Sequence, residues 1–195
     1  MSDFTQQVLG QLDADSVAAI AAQLGVDPAQ AEAAIGQAVP LLVGGLARNA
    51  QSETGANSLL RAAGNHAGFD LGSVLGSVLG GGGDGGAILG HVFGPRQDQA
   101  TQNLGRSTGL GGAGAAQLLA MLAPIILSML GNRTRNQGID AGGLGGMLGR
   151  ELQDMGQRGQ GGLLSSVLDQ DGDGQLGLGD LLKVGADMLG SRGRV

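Results

Sequence analysis

The apolar positions of this chain fall at helical spacing, and the same plan occurs twice. The first stretch predicts a short amphipathic helix over residues 4–12 and a second over 16–24, with Gly25 as its C-cap. Asp27-Pro28 then signals the start of a long helix. It supplies an N-cap side chain, then a proline at the first helical position, where an N–H would have no partner anyway. The later stretch predicts helices over 87–93 and 98–108, Gly109 as the cap, and another long helix. Each long helix contains a proline, Pro40 or Pro124. A proline there removes one backbone hydrogen bond and crowds the carbonyl four residues back, so a kink or break is expected just before it. A polar turn follows each long helix, over 49–57 and 132–137, and then a weak Leu/Gly helix. No segment sustains the period-two alternation of a strand. The pattern reads as all-α.

Sliding the chain on itself by 84 residues brings the two stretches into register. Val8-Leu9-Gly10 falls on Val92-Phe93-Gly94, Ile20 on Leu104, and Gly25-Val26 on Gly109-Leu110. Ala29 and Ala31 fall on Ala113 and Ala115, and Ile35 on Leu119. Pro40-Leu41-Leu42 falls on Pro124-Ile125-Ile126, and Leu46 on Leu130. This is the expectation for an internal duplication: one helical unit over 1–84 and a related one over 85–162. A C-terminal helix-loop-helix and tail follow over 163–195. The segment 80–86, six glycines around Asp84, reads as the linker.

Composition sharpens this picture. Glycine accounts for 41 of 195 residues, about three times its ordinary share of ~7%. It is interleaved with Leu, Val and Met, so the chain is not a polar linker with nothing to bury. Short helices ended by glycine, with small residues letting backbones approach, fit better. Net charge is -6 and no basic stripe with interleaved aromatics is present, which argues against a nucleic-acid partner. Cysteine is absent, so disulfides, thiol catalysis and Cys-based zinc sites are excluded. The start, Met1-Ser2-Asp3-Phe4-Thr5, has no basic region ahead of an apolar stretch, and the expected location is cytoplasmic. The uncharged run 115–130 is shorter than the ~20 residues of a membrane span, so a buried helix is the expectation.

Two strings point to a family. Gly86-Ala87-Ile88-Leu89-Gly90-His91-Val92-Phe93-Gly94 is followed by Arg96-Gln97-Asp98, and later by Leu118-Leu119-Ala120-Met121-Leu122-Ala123-Pro124. These resemble the bacterial proteins grouped as domain of unknown function 937, related to the YidB-like proteins. The resemblance covers most of the chain up to about residue 150. It implies an all-helical bacterial protein and carries no assigned activity.

The strongest chemical signal lies at 169–180. Asp169, Asp171 and Asp173 stand at positions 1, 3 and 5 of a twelve-residue EF-hand-type loop, with Gly174 at position 6 for the sharp turn. Gln175 at position 7 would give its backbone carbonyl, and Asp180 at position 12 would close the site. Hard Ca²⁺ takes such oxygens, so the expected cofactor is Ca²⁺ and the expected metal ligands are Asp169, Asp171, Asp173, Gln175 and Asp180. Leu163, Leu164, Val167 and Leu168 give an apolar face to an entering helix; Leu181, Leu182, Val184 and Met188 do so for an exiting one. The closing Asp is one methylene shorter than the usual Glu, as in dockerin-type loops, and the loop is single. Both features point to modest affinity, on the order of 10⁻⁵ to 10⁻³ M. The competing reading is a solvated Asp-Gly turn.

Other motifs lack context. Gly105-Arg106-Ser107-Thr108-Gly109 matches a hydrolase elbow, which needs a strand before it; a helix is predicted there. Gly109-Leu110-Gly111-Gly112-Ala113-Gly114 matches a dinucleotide fingerprint without the βαβ unit. His66 and His91 have no second ligand close in sequence and read as packed or surface residues. The leading expectation is therefore a non-enzymatic, calcium-binding helical interaction or scaffold protein. Its Gly/Ala-rich helix faces suit packing within the chain, on a second copy, or on a protein partner. The alternatives are a peripheral membrane or envelope-associated protein using the proline-containing helices and, more remotely, a serine hydrolase using Ser107. Membrane contact is not the expectation.

Overall fold

Apolar side chains at helical spacing, closed by local caps, build the body of the protein. A computed structural model describes residues 3–68, 71–80 and 84–157. Among the described residues all regular structure is helical: α1 (Asp3–Gln11), α2 (Ala14–Leu24), α3 (Pro28–Asn49), α4 (Glu53–His66), α5 (Leu71–Leu79), α6 (Gly85–Phe93), α7 (Gln97–Thr108), α8 (Gly111–Gln137) and α9 (Ala141–Gln157), with a 3-10 turn at Gly94–Arg96 between α6 and α7. The calcium loop expected at 169–180 and the helices expected beside it lie outside the described residues.

The caps act as the sequence suggests. Asp13 accepts from the Ser16 amide at 2.8 Å, and Asp27 accepts from the Gln30 amide at 2.9 Å with Pro28 just inside α3. Gly25 and Gly109 close α2 and α7 in the left-handed region, at φ 69° and 74°. The hydrogen bonds to Ser16 hold the Asp13 carboxylate below its ordinary range. The cap is therefore strongest when Asp13 is ionised, and it weakens in acid as the pH falls through its lowered pKa.

Four expectations change. The polar segment 132–137 is the end of α8, not a turn. Its straight-chain residues tolerate a helix, Thr134 is buried with its hydroxyl on the Gly131 carbonyl at 3.0 Å, and the chain turns only at Gly138, φ 61°. The turn expected over 49–57 shrinks to three residues, because Ser52 caps α4 through the Gly55 amide at 3.1 Å. One Leu/Gly helix expected after that turn is two, α4 and α5. Nor does either proline break its helix: α3 runs through Pro40 and α8 through Pro124 as single elements.

Helices α6 to α9 follow the order of α1 to α4, with starts offset by 82, 83, 83 and 88 residues. The apolar pairs are buried on both sides, as at Ile20 and Leu104, Ala31 and Ala115, Ile35 and Leu119, and Leu46 and Leu130. The halves are interleaved. Helix α4 packs mainly on α8, and α9 packs mainly on α3, so each half's fourth helix lies on the other half's long helix. One hydrophobic cluster runs from Phe4 to Met155. Helix α1 is fixed to α9 by a buried carboxylate: Glu151 accepts from the Thr5 amide at 2.8 Å, the Thr5 hydroxyl at 2.6 Å and the Phe4 amide at 3.4 Å. These amides belong to the first turn of α1, which lacks intrahelical acceptors and favours a negative charge.

Helix α8 is the one described helix long and apolar enough to cross a membrane, yet 67% of its most apolar stretch is buried inside the fold. Its apolarity serves the core. Two glycines set its neighbours' distance. A Cβ on Gly131 would strike the Ala63 carbonyl of α4, and a Cβ on Gly85 of α6 would strike the Ala120 carbonyl of α8. Ala120 is four residues before Pro124, so its carbonyl lacks the amide that a helix would normally offer it. The bare Cα of Gly85 sits against that oxygen, a place where a weak Cα–H···O contact is favourable.

Gly131→Ala is expected to lower stability by about 1–3 kcal/mol, because α4 and α8 must separate to admit a methyl group. Gly36→Ala, at an exposed position of α3 with nothing within 4 Å of the added atom, is expected to raise it by about 0.5–1 kcal/mol. Urea unfolding followed by far-ultraviolet circular dichroism checks both. Equal effects of the two substitutions would contradict the close contact.

Candidate functional site

The end of α3, the start of α4 and the end of α6 enclose a cleft. Gly45 allows it to form. A Cβ there would lie 2.7 Å from Val92 Cγ1 and 3.0 Å from Phe93 Cε1, so only glycine lets α6 approach α3 this closely. Asn49 then ties the two helices, its Nδ2 donating to the His91 carbonyl at 2.7 Å. Gly94 ends α6 with a positive φ of 54°, and the 3-10 turn that follows carries Arg96 back towards α3.

The cleft has two arms. One, of about 390 Å³, is lined by Gly44 and Gly45, by the guanidinium-bearing Arg48 and Arg96, and by Pro95. The other, of about 480 Å³, is walled by Leu46, Leu59, Ala62, Ile88 and Leu127, with Thr54 and Ser58 at its side. Asn49, Ser52, His91 and Val92 line both arms and form the waist between them. Burial, and then the neighbouring charge of Arg96, push the Arg48 guanidinium below its ordinary value. It stays cationic, since arginine does not lose its proton in proteins. The arrangement can bind. Its lining carries two guanidinium groups, an amide, three hydroxyls and an imidazole beside apolar walls.

The residues singled out in the sequence are scattered. Asp169, Asp171, Asp173, Gln175 and Asp180 lie outside the described residues. Among the described residues no group of three or more His, Asp or Glu side chains could hold a metal ion. Ser107 sits near the end of α7, where its hydroxyl donates to the Leu104 carbonyl at 3.0 Å, the habit of a serine in a helical last turn. The segment 109–114 is the two-residue connection 109–110 followed by the first turn of α8, with Gly109 and Gly111 at φ 74° and 70°. His66 bonds through Nδ1 to the Ala62 carbonyl at 2.9 Å within α4. His91 is exposed and lines the cleft. Neither Arg48 nor Asn49 is a candidate in the sequence, and Arg96 stands there only within the string that carries the family resemblance; Arg48 and Arg96, on different elements, have no local motif that would join them.

The family model described as bacterial protein of unknown function (DUF937) matches residues 6–133, from α1 into the last turns of α8. No curated protein and no solved structure matches the chain. The matched residues make up most of the helical body, and the chain belongs to this bacterial family of unknown function.

Proposed function

We propose that this protein is a non-enzymatic helical interaction protein that binds calcium through residues 169–180. The observation that carries the reading is the loop's sequence: carboxylates at positions 1, 3, 5 and 12, glycine at position 6 and an apolar residue, Leu176, at position 8. Asp169, Asp171, Asp173 and Asp180 would supply side-chain oxygens, and Gln175 its carbonyl. The helical body is consistent with a binding role. Its cleft between α3, α4 and α6 carries arginines and apolar walls, and Ser107 bonds to a helix carbonyl instead of a base. We also infer that the two halves arose by duplication, which the similar order of four helices and the shared 84-residue offset of the glycine caps Gly25 and Gly109 and of Pro40 and Pro124 support.

Superposing the Cα atoms of 3–66 on those of 87–150 tests the duplication. The four matched helices are expected to overlay in one orientation, and unrelated directions would refute it. Calorimetric titration of the full chain with Ca²⁺ tests the ion. If the dissociation constant is about 10 μM, then ~1 mM Ca²⁺ adds roughly 2.7 kcal/mol to whatever unit folds with the site. Mg²⁺ is expected to bind more weakly, since it keeps its waters and demands a tight octahedron. Asp169→Ala combined with Asp173→Ala is expected to abolish the heat. No heat and no melting shift at several times that concentration, in a folded sample, would leave the segment a plain acidic turn.

A further inference from the structure

The contacts between the two halves run both ways. Asn49 at the end of α3 donates to the His91 carbonyl of α6 at 2.7 Å, and Arg133 near the end of α8 donates to the Gln7 side chain of α1 at 3.2 Å. Asn49 and Arg133 stand 84 residues apart in the chain, and so do Gln7 and His91. The other ends of the long helices repeat the exchange. Gln30 in the first turn of α3 donates to the carbonyl of Thr108, the last residue of α7, at 3.2 Å. Gln117 in the second turn of α8 donates to the carbonyl of Gln23, in the last turn of α2, at 3.3 Å. Helix packing follows the same rule: α3 takes α7 and α9 from the other half, and α8 takes α2 and α4. Contacts that are returned in this way belong to a two-fold interface between like units. The two sides differ at one place, where Glu151 ties α9 to α1 while α4 and α6 flank the cleft. We propose that the halves meet across a two-fold dimer interface contained in one chain, and that this chain pairs with a second copy by exchanging halves across it.

In the exchanged dimer the first half of each copy lies on the second half of the other. The contacts named above then form between copies. Each cleft takes Arg48 and Asn49 from one copy and His91 and Arg96 from the other, so the partner completes it. Neither half is held back by a core of its own, because α4 lies mainly on α8 and α9 mainly on α3. What must change is the connection between α5 and α6. The segment 80–86 carries six glycines, and a glycine backbone adopts turned and extended conformations alike. The same connection sets the balance between the two forms. A short flexible tether holds its ends at an effective concentration on the order of millimolar. The closed chain therefore predominates in dilute solution, and exchange takes place where chains fold at a comparable concentration. Once formed, the dimer persists, because reversal requires the shared core to separate.

Two full-length variants test the exchange. Ile20 and Leu104 are buried at equivalent places in the two halves. Ile20→Asp spoils the first half and Leu104→Asp the second, since each leaves an unpaired charge in the core. Each variant alone is expected to lack a cooperative urea transition. Refolded together from urea, they are expected to form a dimer in which the sound second half of one meets the sound first half of the other. That dimer is expected to show the cooperative transition that neither variant shows alone. A mixture that behaves as the sum of its parts would overturn the proposal. The unmodified chain supplies a second arm that needs no substitution. An equal mixture of isotope-labelled and unlabelled chains is refolded from urea at about millimolar concentration and, separately, at micromolar concentration. The concentrated sample is expected to contain a dimer whose isotope-filtered nuclear Overhauser contacts join α4 of one copy to α8 of the other. The dilute sample is expected to contain monomer alone. Monomer alone at both concentrations, or a dimer without contacts between α4 and α8 of different copies, would also overturn it. The proposal rests on the duplication of the halves, which the superposition tests separately: overlaid helices with no recovery in the mixture would leave a duplication without exchange.

Discussion

With three phenylalanines and neither tryptophan nor tyrosine, the chain cannot fill a wide interior with large side chains, and it draws helix backbones together instead. The contact on which the rest depends is the seating of α8, whose segment from Met121 to Ser128 is buried throughout. Helix α4 reaches it across Gly131 and helix α6 across Gly85, each where a methyl group would already collide with a backbone carbonyl. Interiors are packed to near crystal density, so a fold of small residues must bring its helices close or leave voids. Pro124 takes part as well. It leaves the Ala120 carbonyl without its helical amide, and the bare Gly85 backbone is what packs on that oxygen.

The interleaving of the halves follows from the same closeness. Only three residues separate α3 from α4, and only three separate α8 from α9. Each fourth helix nevertheless packs mainly on the other half's long helix. Neither half encloses a core alone. Glu151 adds a polar tie to this arrangement by holding the first turn of α1 to α9 across nearly the whole described chain. The cleft is a product of the frame: Gly45 sets how near α6 lies to α3, Asn49 fixes the end of α6, and Gly94 redirects the chain so that Arg96 faces Arg48.

Much of the fold was legible in the sequence where local chemistry decides it. Asp27-Pro28, Gly25 and Gly109 mark their helix ends through capping and backbone conformation, and all three act as caps or stops in the structure. The length of α8 was misread because Asn132 to Gln137 are polar, whereas polar straight-chain residues extend a helix readily when Thr134 is held against the core. The persistence of α3 and α8 through their prolines was also not visible, since tertiary burial outweighs the loss of one backbone bond. The cleft could not be read at all. Arg48 and Arg96 belong to opposite halves, and only the packing of α6 on α3 brings them into one arm. Glu151 carries no local signal in the sequence, because its partners, Thr5 and Phe4, come from the other end of the chain.

The central claim is that both halves form one cooperative core around α8. Amide hydrogen exchange across a urea series measures this directly. The account predicts that the most protected amides of α3 and α8 lose protection together, at one denaturant concentration and with one dependence on it. Loss of α3 and α2 protection at a distinctly lower urea concentration, with α7 and α8 still protected, would show two separately folding units and contradict it.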